Sequence, residues 1–296
     1  MGKRVYFIGW YFPSFPGGAE KSILEELKLY KKKEFEVFVI SFDEKFKVGE
    51  FNIDNIKGEN HYLKYNFNFI SRYTTLFFNR NYINSELDKI NFNKNDLILT
   101  QGIFAPIVAN FCRKNNLKYN YYLRDENNLN DFYNYWTGFN WLLKIIKDTL
   151  DFPFRRYYIN QNIIALKNAN KIISNSKFIA NLLYNKYKLD SKVKSPKINF
   201  FKLDIKQIKK SNQKFITFIG GENAMKGYDI ILKIAKNMPD YSFLIVGSYE
   251  KEFTKENITF MPWQNNVMDI YSKTKLLLVP SRWNEAFGRV VIESNY

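Results

Sequence analysis

Apolar residues recur along the chain in two patterns, short compact runs and longer stretches with a helical period. The runs Val5–Gly9, Glu36–Phe42, Asp96–Thr100, Tyr119–Leu123 and Lys171–Ser174 are mostly apolar throughout, as strands covered on both faces must be. Between them lie Ala19–Lys32, with Ile23, Leu24, Leu27 and Tyr30 on one face, then Phe104–Lys114, Arg156–Asn168 and Lys177–Tyr187, all of helical period. Such alternation predicts a parallel sheet with helices on both sides. The stretch Asp190–Gln213 is polar, rich in Lys, contains Pro196 and follows neither period, so it reads as a link between domains. A second series then predicts strand Phe215–Gly220, helix Gly227–Asn237, strands Ser242–Gly247 and Ile258–Met261, helix Val267–Ser272, strand Lys275–Val279 and a last helix from Phe287. The expected fold class is α/β, with two tandem Rossmann-like doubly wound domains at residues 1–195 and 213–296 and a linker at 196–212.

Composition narrows the function classes. At 296 residues, with 28 Phe and 21 Tyr, the chain can bury enough area to offset its ordering entropy, so disorder is excluded. A single cysteine, Cys112, forms no internal disulfide, which argues for a reducing compartment. No run approaches the roughly 20 apolar residues of a membrane span, and MGKRVYFIGW reads as a first strand, not a leader. The expected location is the cytoplasm. The net charge of +16 is concentrated early, with 31 basic against 19 acidic residues in 1–200 and 14 against 10 in 201–296. A surplus of that kind fits an anionic membrane surface, a phosphorylated substrate or a nucleic acid, and equally a proteome biased toward Lys and Asn.

Ligands of doubly wound sheets bind beyond the carboxyl ends of the strands, and the informative residues fall there. Gly17 and Gly18 precede the first helix, where a Gly pair leaves backbone N–H groups for a phosphate or a sugar, or simply makes a turn. Gly220 and Gly221 follow a strand, and Lys226 and Gly227 start the next helix, so the ammonium either holds a diphosphate or sits on the surface. The closing VPSRWNEAFGRVVIESNY is the most specific signal. Its strand ends at Pro280–Ser281, Glu285 stands in the loop before a helix, and Glu293 lies eight positions on, in the helix's second turn. One carboxylate then faces a sugar hydroxyl and the other a ribose diol.

In the PGGAE loop, IISNSKFIANLL, the GG…KG loop and PSRWNEAFGRVVIE, in that order, the chain resembles the retaining glycosyltransferases of family 4, also called glycosyl transferase group 1. The resemblance implies the GT-B fold of two facing Rossmann-like domains. It also implies that Lys226 contacts the donor diphosphate, that Glu285 and the amides of Ala286, Phe287 and Gly288 contact the donor sugar, that Glu293 holds the ribose, and that Gly17–Gly18 lies against phosphates and acceptor. Trp263 and the backbone near Met261–Pro262 lie where the resemblance puts the nucleobase. Two departures stand out. Gly221 occupies the place where the family usually has an Arg, leaving Arg282 or Arg289 to compensate. Where many members have a His, this chain has Arg124 and Asp125, taken as active-site candidates, whereas the only histidine, His61, is far from any motif and reads as a surface or packing residue.

The implied reaction moves a sugar from a nucleotide-sugar donor to a glycan or lipid-linked acceptor in cell-surface polysaccharide or glycolipid biosynthesis, with retention of anomeric configuration. Lys226 and backbone amides would stabilise the departing diphosphate. The nucleotide sugar is a substrate, no cofactor is implied, and no Asp-x-Asp metal motif is present, so a metal-independent enzyme is expected. No Ser-His or Cys-His pair offers a nucleophile. Residues 132–158 combine aromatics with Lys144, Lys147, Arg155 and Arg156 and read either as a peripheral contact with an anionic inner-membrane face or as an amphipathic helix with a solvated basic side. Two alternatives remain: a catalytically impaired relative acting as a binding protein, and a basic nucleic-acid-binding protein, whose modules the chain lacks. The second domain is expected to be cut short, because its last helix has only begun when the sequence ends.

Overall fold

A computed structural model describes residues 3–10, 12, 18–126, 129, 139–196, 213–264 and 266–295, without the side chains of 139–144. Chain contacts divide these residues into two units, one reaching to residue 196 and the other starting at 213.

The first unit is built on β1 (Arg4–Trp10), α1 (Gly18–Lys31), β2 (Glu36–Phe42), β3 (Gly49–Ile53), β4 (Ile56–Asn60), α2 (Arg72–Asp88), β5 (Leu97–Gln101), α3 (Ala105–Lys114), β6 (Lys118–Leu123), α4 (Phe139–Lys167), β7 (Lys171–Ser174), α5 (Lys177–Tyr187) and β8 (Lys192–Val193). Its sheet runs in the order β3-β4-β2-β1-β5-β6-β7-β8, parallel except for the β3–β4 pair. Val5 and Phe7 of the central strand are buried together with Ile23 and Leu27 of α1 and Val39 of β2, and Ile8 is buried on the opposite face of the sheet. Each such side chain contributes about 1.5–3 kcal/mol by leaving water.

Several elements differ from the sequence pattern. The hairpin β3–β4 turns at Asp54 and Asn55, both at positive φ, the backbone that a two-residue hairpin of matching twist requires. Helix α2 buries Thr74, Thr75 and Asn79 beside Leu76, Ile83 and Leu87, so polar residues on its inner face hide the helical period. Helix α4 starts at residue 139, not at Arg156, and continues through Pro153. Buried Asp151 anchors it to α2: it accepts hydrogen bonds from Ser71 Oγ and, at 2.8 Å, from Thr74 Oγ1, and pairs with Arg155. Lys192 and Val193, expected to be linker, form the edge strand β8 on β7. Residues 197–212 of that stretch lie outside the described residues.

The second unit contains β9 (Phe215–Ile219), α6 (Tyr228–Asn237), β10 (Phe243–Gly247), β11 (Phe253–Lys255), β12 (Ile258–Pro262), α7 (Met268–Tyr271), β13 (Thr274–Leu277) and α8 (Arg289–Ser294). Its sheet order is β11-β12-β10-β9-β13, with β11 antiparallel and the others parallel. Phe218, Ile231, Phe243, Ile245 and Phe260 form its core.

In both sheets the chain starts at a central strand, winds to one side and then crosses to the other. The order reverses between β1 and β5 in the first unit and between β9 and β13 in the second. Ligand crevices of doubly wound sheets open at the carboxyl ends of such strand pairs.

Candidate functional site

In the second unit the β9/β13 switch point brings together the two loops that the sequence singles out. After β9 the chain makes a 3-10 turn at Ala224–Lys226, capped by Asn223 Oδ1, which accepts from Met225 N–H at 2.9 Å. Gly227 then opens α6 at φ +85°, and a Cβ there would lie 2.3 Å from Pro280 O, so only glycine permits this contact with the loop after β13. The two loops are also joined by Arg282 N–H, which donates to Met225 O at 2.9 Å.

Lys226, half-buried beside Gly220, makes no hydrogen bond or ion pair among the described residues. The N–H groups of Ala286, Phe287 and Gly288 likewise have no partner among the described residues. Those of Gly220 and Gly221, in contrast, both donate to Val246 O, so this Gly pair closes the sheet end and offers a ligand no amide. Arg282 is also engaged. Its guanidinium holds Asp229 at 2.5 and 2.6 Å and donates to Ala224 O at 2.7 Å, and this partner pulls the Asp229 carboxyl below its ordinary range. Arg289 pairs with Glu293 at 3.1 Å, so the two arginines expected to replace the missing cation at Gly221 both have carboxylate partners.

Glu285 sits in the loop before α8, and its Oε1 accepts from Ser281 Oγ at 2.9 Å and Trp283 Nε1 at 3.0 Å. Glu293 projects from α8 and its Oε2 accepts from the buried Tyr271 hydroxyl at 3.1 Å, while burial and the carboxylate push that phenol up. Trp263, exposed beyond β12, donates through Nε1 to Ser248 Oγ at 3.1 Å.

In the first unit, Gly17 lies outside the described residues and Gly18 is the exposed first residue of α1. Arg124 leaves the end of β6, is buried, and donates to Gln101 Oε1 at the end of β5 (3.3 Å) and to Ser22 Oγ in α1 (2.9 Å). Asp125 follows it, half-buried. Sequence reasoning missed Glu20, in the first turn of α1, whose carboxyl is pushed up to about 7, chiefly by burial. Only its place in PGGAE hinted at a role, because the shift arises from neighbours far along the chain. Cys112 is buried, which pushes its thiol up to about 12 and leaves it unsuited to be a nucleophile at neutral pH. His61 stacks on Phe42 at 5.3 Å. No group of three or more His, Cys, Asp or Glu able to hold a metal ion occurs among the described residues.

Residues 200–296 match the profile of a family described as Glycosyl transferases group 1. Over this segment the chain is similar to that family. An "Uncharacterized glycosyltransferase" of Haemophilus influenzae is 28% identical to the chain over a region covering 44% of the chain and 40% of that relative. The chain therefore spans well under half the length of this curated relative. Among solved structures, a sucrose-phosphate synthase from Thermosynechococcus elongatus matches 99% of this chain and 78% of its own, with 15% identity and a TM-score of 0.70. WaaG, a glycosyltransferase involved in lipopolysaccharide biosynthesis, matches 98% of this chain and 78% of its own, with 13% identity and a TM-score of 0.60. These likenesses establish the GT-B fold, and the segment that matches the family model contains Lys226, Glu285 and Glu293.

Proposed function

We propose that the protein transfers a sugar from a nucleotide-sugar donor to a glycan or lipid-linked acceptor, with retention and without a metal, in the building of a cell-surface polysaccharide or glycolipid. The observation that carries this reading is the β9/β13 edge, where the Lys226 ammonium and three amides at 286–288, without partners among the described residues, lie on loops held together by Gly227, Pro280 and Arg282. A diphosphate that gains charge as the anomeric carbon–oxygen bond breaks is stabilised by such fixed donors. Glu285, oriented by Ser281 and Trp283, suits a donor-sugar hydroxyl, and Glu293 suits the ribose. The Arg282–Asp229 pair supports the loops and leaves Lys226 as the diphosphate cation. The polysaccharide context draws on the part that WaaG plays in lipopolysaccharide biosynthesis.

A thermal-shift screen of the chain against nucleoside diphosphates and their sugars tests the reading, since a ligand that binds only the native state at 100 times its Kd adds about 2.7 kcal/mol of stability. A melting point unmoved by every nucleotide sugar would overturn it.

The membrane reading has support of its own. Ile145, Ile146, Leu150 and Phe152 of α4 are exposed, together with Phe69 and Phe78 near α2, and the exposed Lys147 and Arg156 accompany them. Apolar side chains beside basic ones fit the interface of an anionic bilayer. Co-sedimentation with anionic liposomes at low salt is the expected outcome, and none in that assay removes the bilayer as a partner. No helix among the described residues is long and apolar enough to cross a membrane.

A further inference from the structure

The first unit carries a cavity at the amino edge of its sheet, where β5 and β6 begin. It has a volume of about 490 Å³ and is bordered by the carboxyl ends of α2, at Asp88, and of α3, beside Asn115. Phe92 and Phe111 line it, packed edge to face at 5.7 Å, and Phe92 also meets Tyr6 of β1 at 4.9 Å, so the aromatic wall is fixed. Its polar lining is Asp88, Lys89, Asn91, Lys94 and Asn115, all exposed. The loop that carries Asn91 and Lys94 is braced from the sheet. Arg4 donates to Asn91 O at 3.0 Å and pairs with the buried Asp96 at 2.7 Å, and Asp96 Oδ2 accepts from Asn93 N–H at 2.7 Å. Asn115 donates through Nδ2 to Phe111 O at 3.1 Å, which orients its amide. Lys89 is engaged with Glu86 at 2.8 Å, whereas the side chains of Asp88, Asn91 and Lys94 make no hydrogen bond or ion pair among the described residues. Asp88 stands in the last turn of α2, where a carboxylate opposes the helix dipole, so its charge does not serve the helix.

The cavity thus offers hydrogen-bond acceptors in a carboxylate and amide oxygens, donors in an ammonium and amide N–H groups, and an apolar aromatic wall. A sugar ring has the complement of each: hydroxyls that both donate and accept, and a face of C–H groups. An anionic ligand suits the place less well, because the Asp88 carboxylate and the negative ends of two helices oppose it. We propose that this cavity is a second carbohydrate-binding site, which holds an uncharged saccharide unit of a glycan, with Asp88 accepting from its hydroxyls and Lys94 donating to them. The six residues of β6 separate the cavity from Arg124, about 20 Å at the rise of a strand, so the sugar held here is not the one that reacts at the carboxyl edge. Binding at this edge goes beyond the glycosyl-transfer reading and does not require it.

Calorimetry of the full chain with maltohexaose, cellohexaose and xylohexaose tests the site, with hexagalacturonate as the anionic counterpart. At least one neutral hexasaccharide is expected to bind, about tenfold or more tighter than hexagalacturonate. Asp88→Ala weakens that binding about tenfold, and Lys94→Ala weakens it as well. Neither variant lowers the melting point, because both side chains are exposed and Asp88 opposes its own helix dipole. Melting shifts produced by nucleotide sugars stay at the wild-type value in both variants, so failure of this site is read separately from failure of the glycosyl-transfer reading. Three results overturn the proposal: no binding of any neutral hexasaccharide, hexasaccharide affinity unchanged in both Asp88→Ala and Lys94→Ala, or preference for hexagalacturonate.

Discussion

The Arg282 guanidinium grips the Asp229 carboxylate through two hydrogen bonds of 2.5 and 2.6 Å, fixing the loop after β13 to the first turn of α6. Arg282 also reaches Ala224 O, so one side chain ties together three points around the strand ends. Both partners are partly exposed, at 29% and 45%, so solvent screens the pair. Arg282→Ala is expected to cost about 1 kcal/mol at neutral pH and low salt. The Asp229 pKa is lowered on folding, so the pair's stabilisation is complete above the ordinary carboxylate value of about 3.9 and is lost as pH falls through the lower folded value. Melting curves of the wild type and the variant should therefore differ at pH 7 and converge in strong acid.

Lys226→Ala separates binding from stability. The side chain has no partner among the described residues, so its removal should leave the unfolding free energy within about 0.5 kcal/mol of the wild type. Loss of a charge-assisted contact to a diphosphate should weaken nucleoside-diphosphate affinity about tenfold or more, measured by calorimetry. Affinity unchanged in Lys226→Ala would assign the diphosphate elsewhere.

Glu285 is held by two donors, and this gives the variants an order. Glu285→Gln should reduce turnover about a hundredfold while the protein still melts cooperatively. Ser281→Ala removes one of the two orienting bonds and leaves Trp283, so a smaller loss, about tenfold, is expected. Steady-state kinetics with the bound nucleotide sugar check the order, and equal losses would show that Ser281 does more than orient Glu285.

Gly227→Ala meets two obstacles at once. The backbone is at φ +85°, and the new methyl would lie 2.3 Å from Pro280 O, a backbone atom that cannot swing aside. Strain of this kind costs about 1–3 kcal/mol. The melting point should drop, and nucleotide affinity should weaken, since Lys226 and Pro280 are held by this contact. A variant as stable as the wild type would mean that the loops rearrange freely.

Much of the scaffold is legible in the residues alone. Runs such as Val5–Gly9 and Ser242–Gly247 have no polar face, so they become central strands whatever surrounds them, and alternation with helical periods dictates parallel pairing. Strand ends then carry the loops, which is why Lys226, Glu285 and Arg124 are found there by pattern. Elements with mixed faces were not legible. Helix α2 buries Thr74, Thr75 and Asn79 because partners on other elements, Asp151 for Thr74 and the backbone of Tyr65 for Asn79, satisfy their polar atoms.

The sequence by itself determined the α/β class, the strands that form the cores and the family-like order of its loops, because these follow from local period and turn chemistry. Only the tertiary structure decided which charges are engaged and which are available. It pairs Arg282 with Asp229 across 53 positions, brings Arg124 to Ser22 across 102, and half-buries Glu20, which pushes its carboxyl up. Hydrogen-bond partnership and desolvation depend on groups brought close by folding, and no local spacing encodes them.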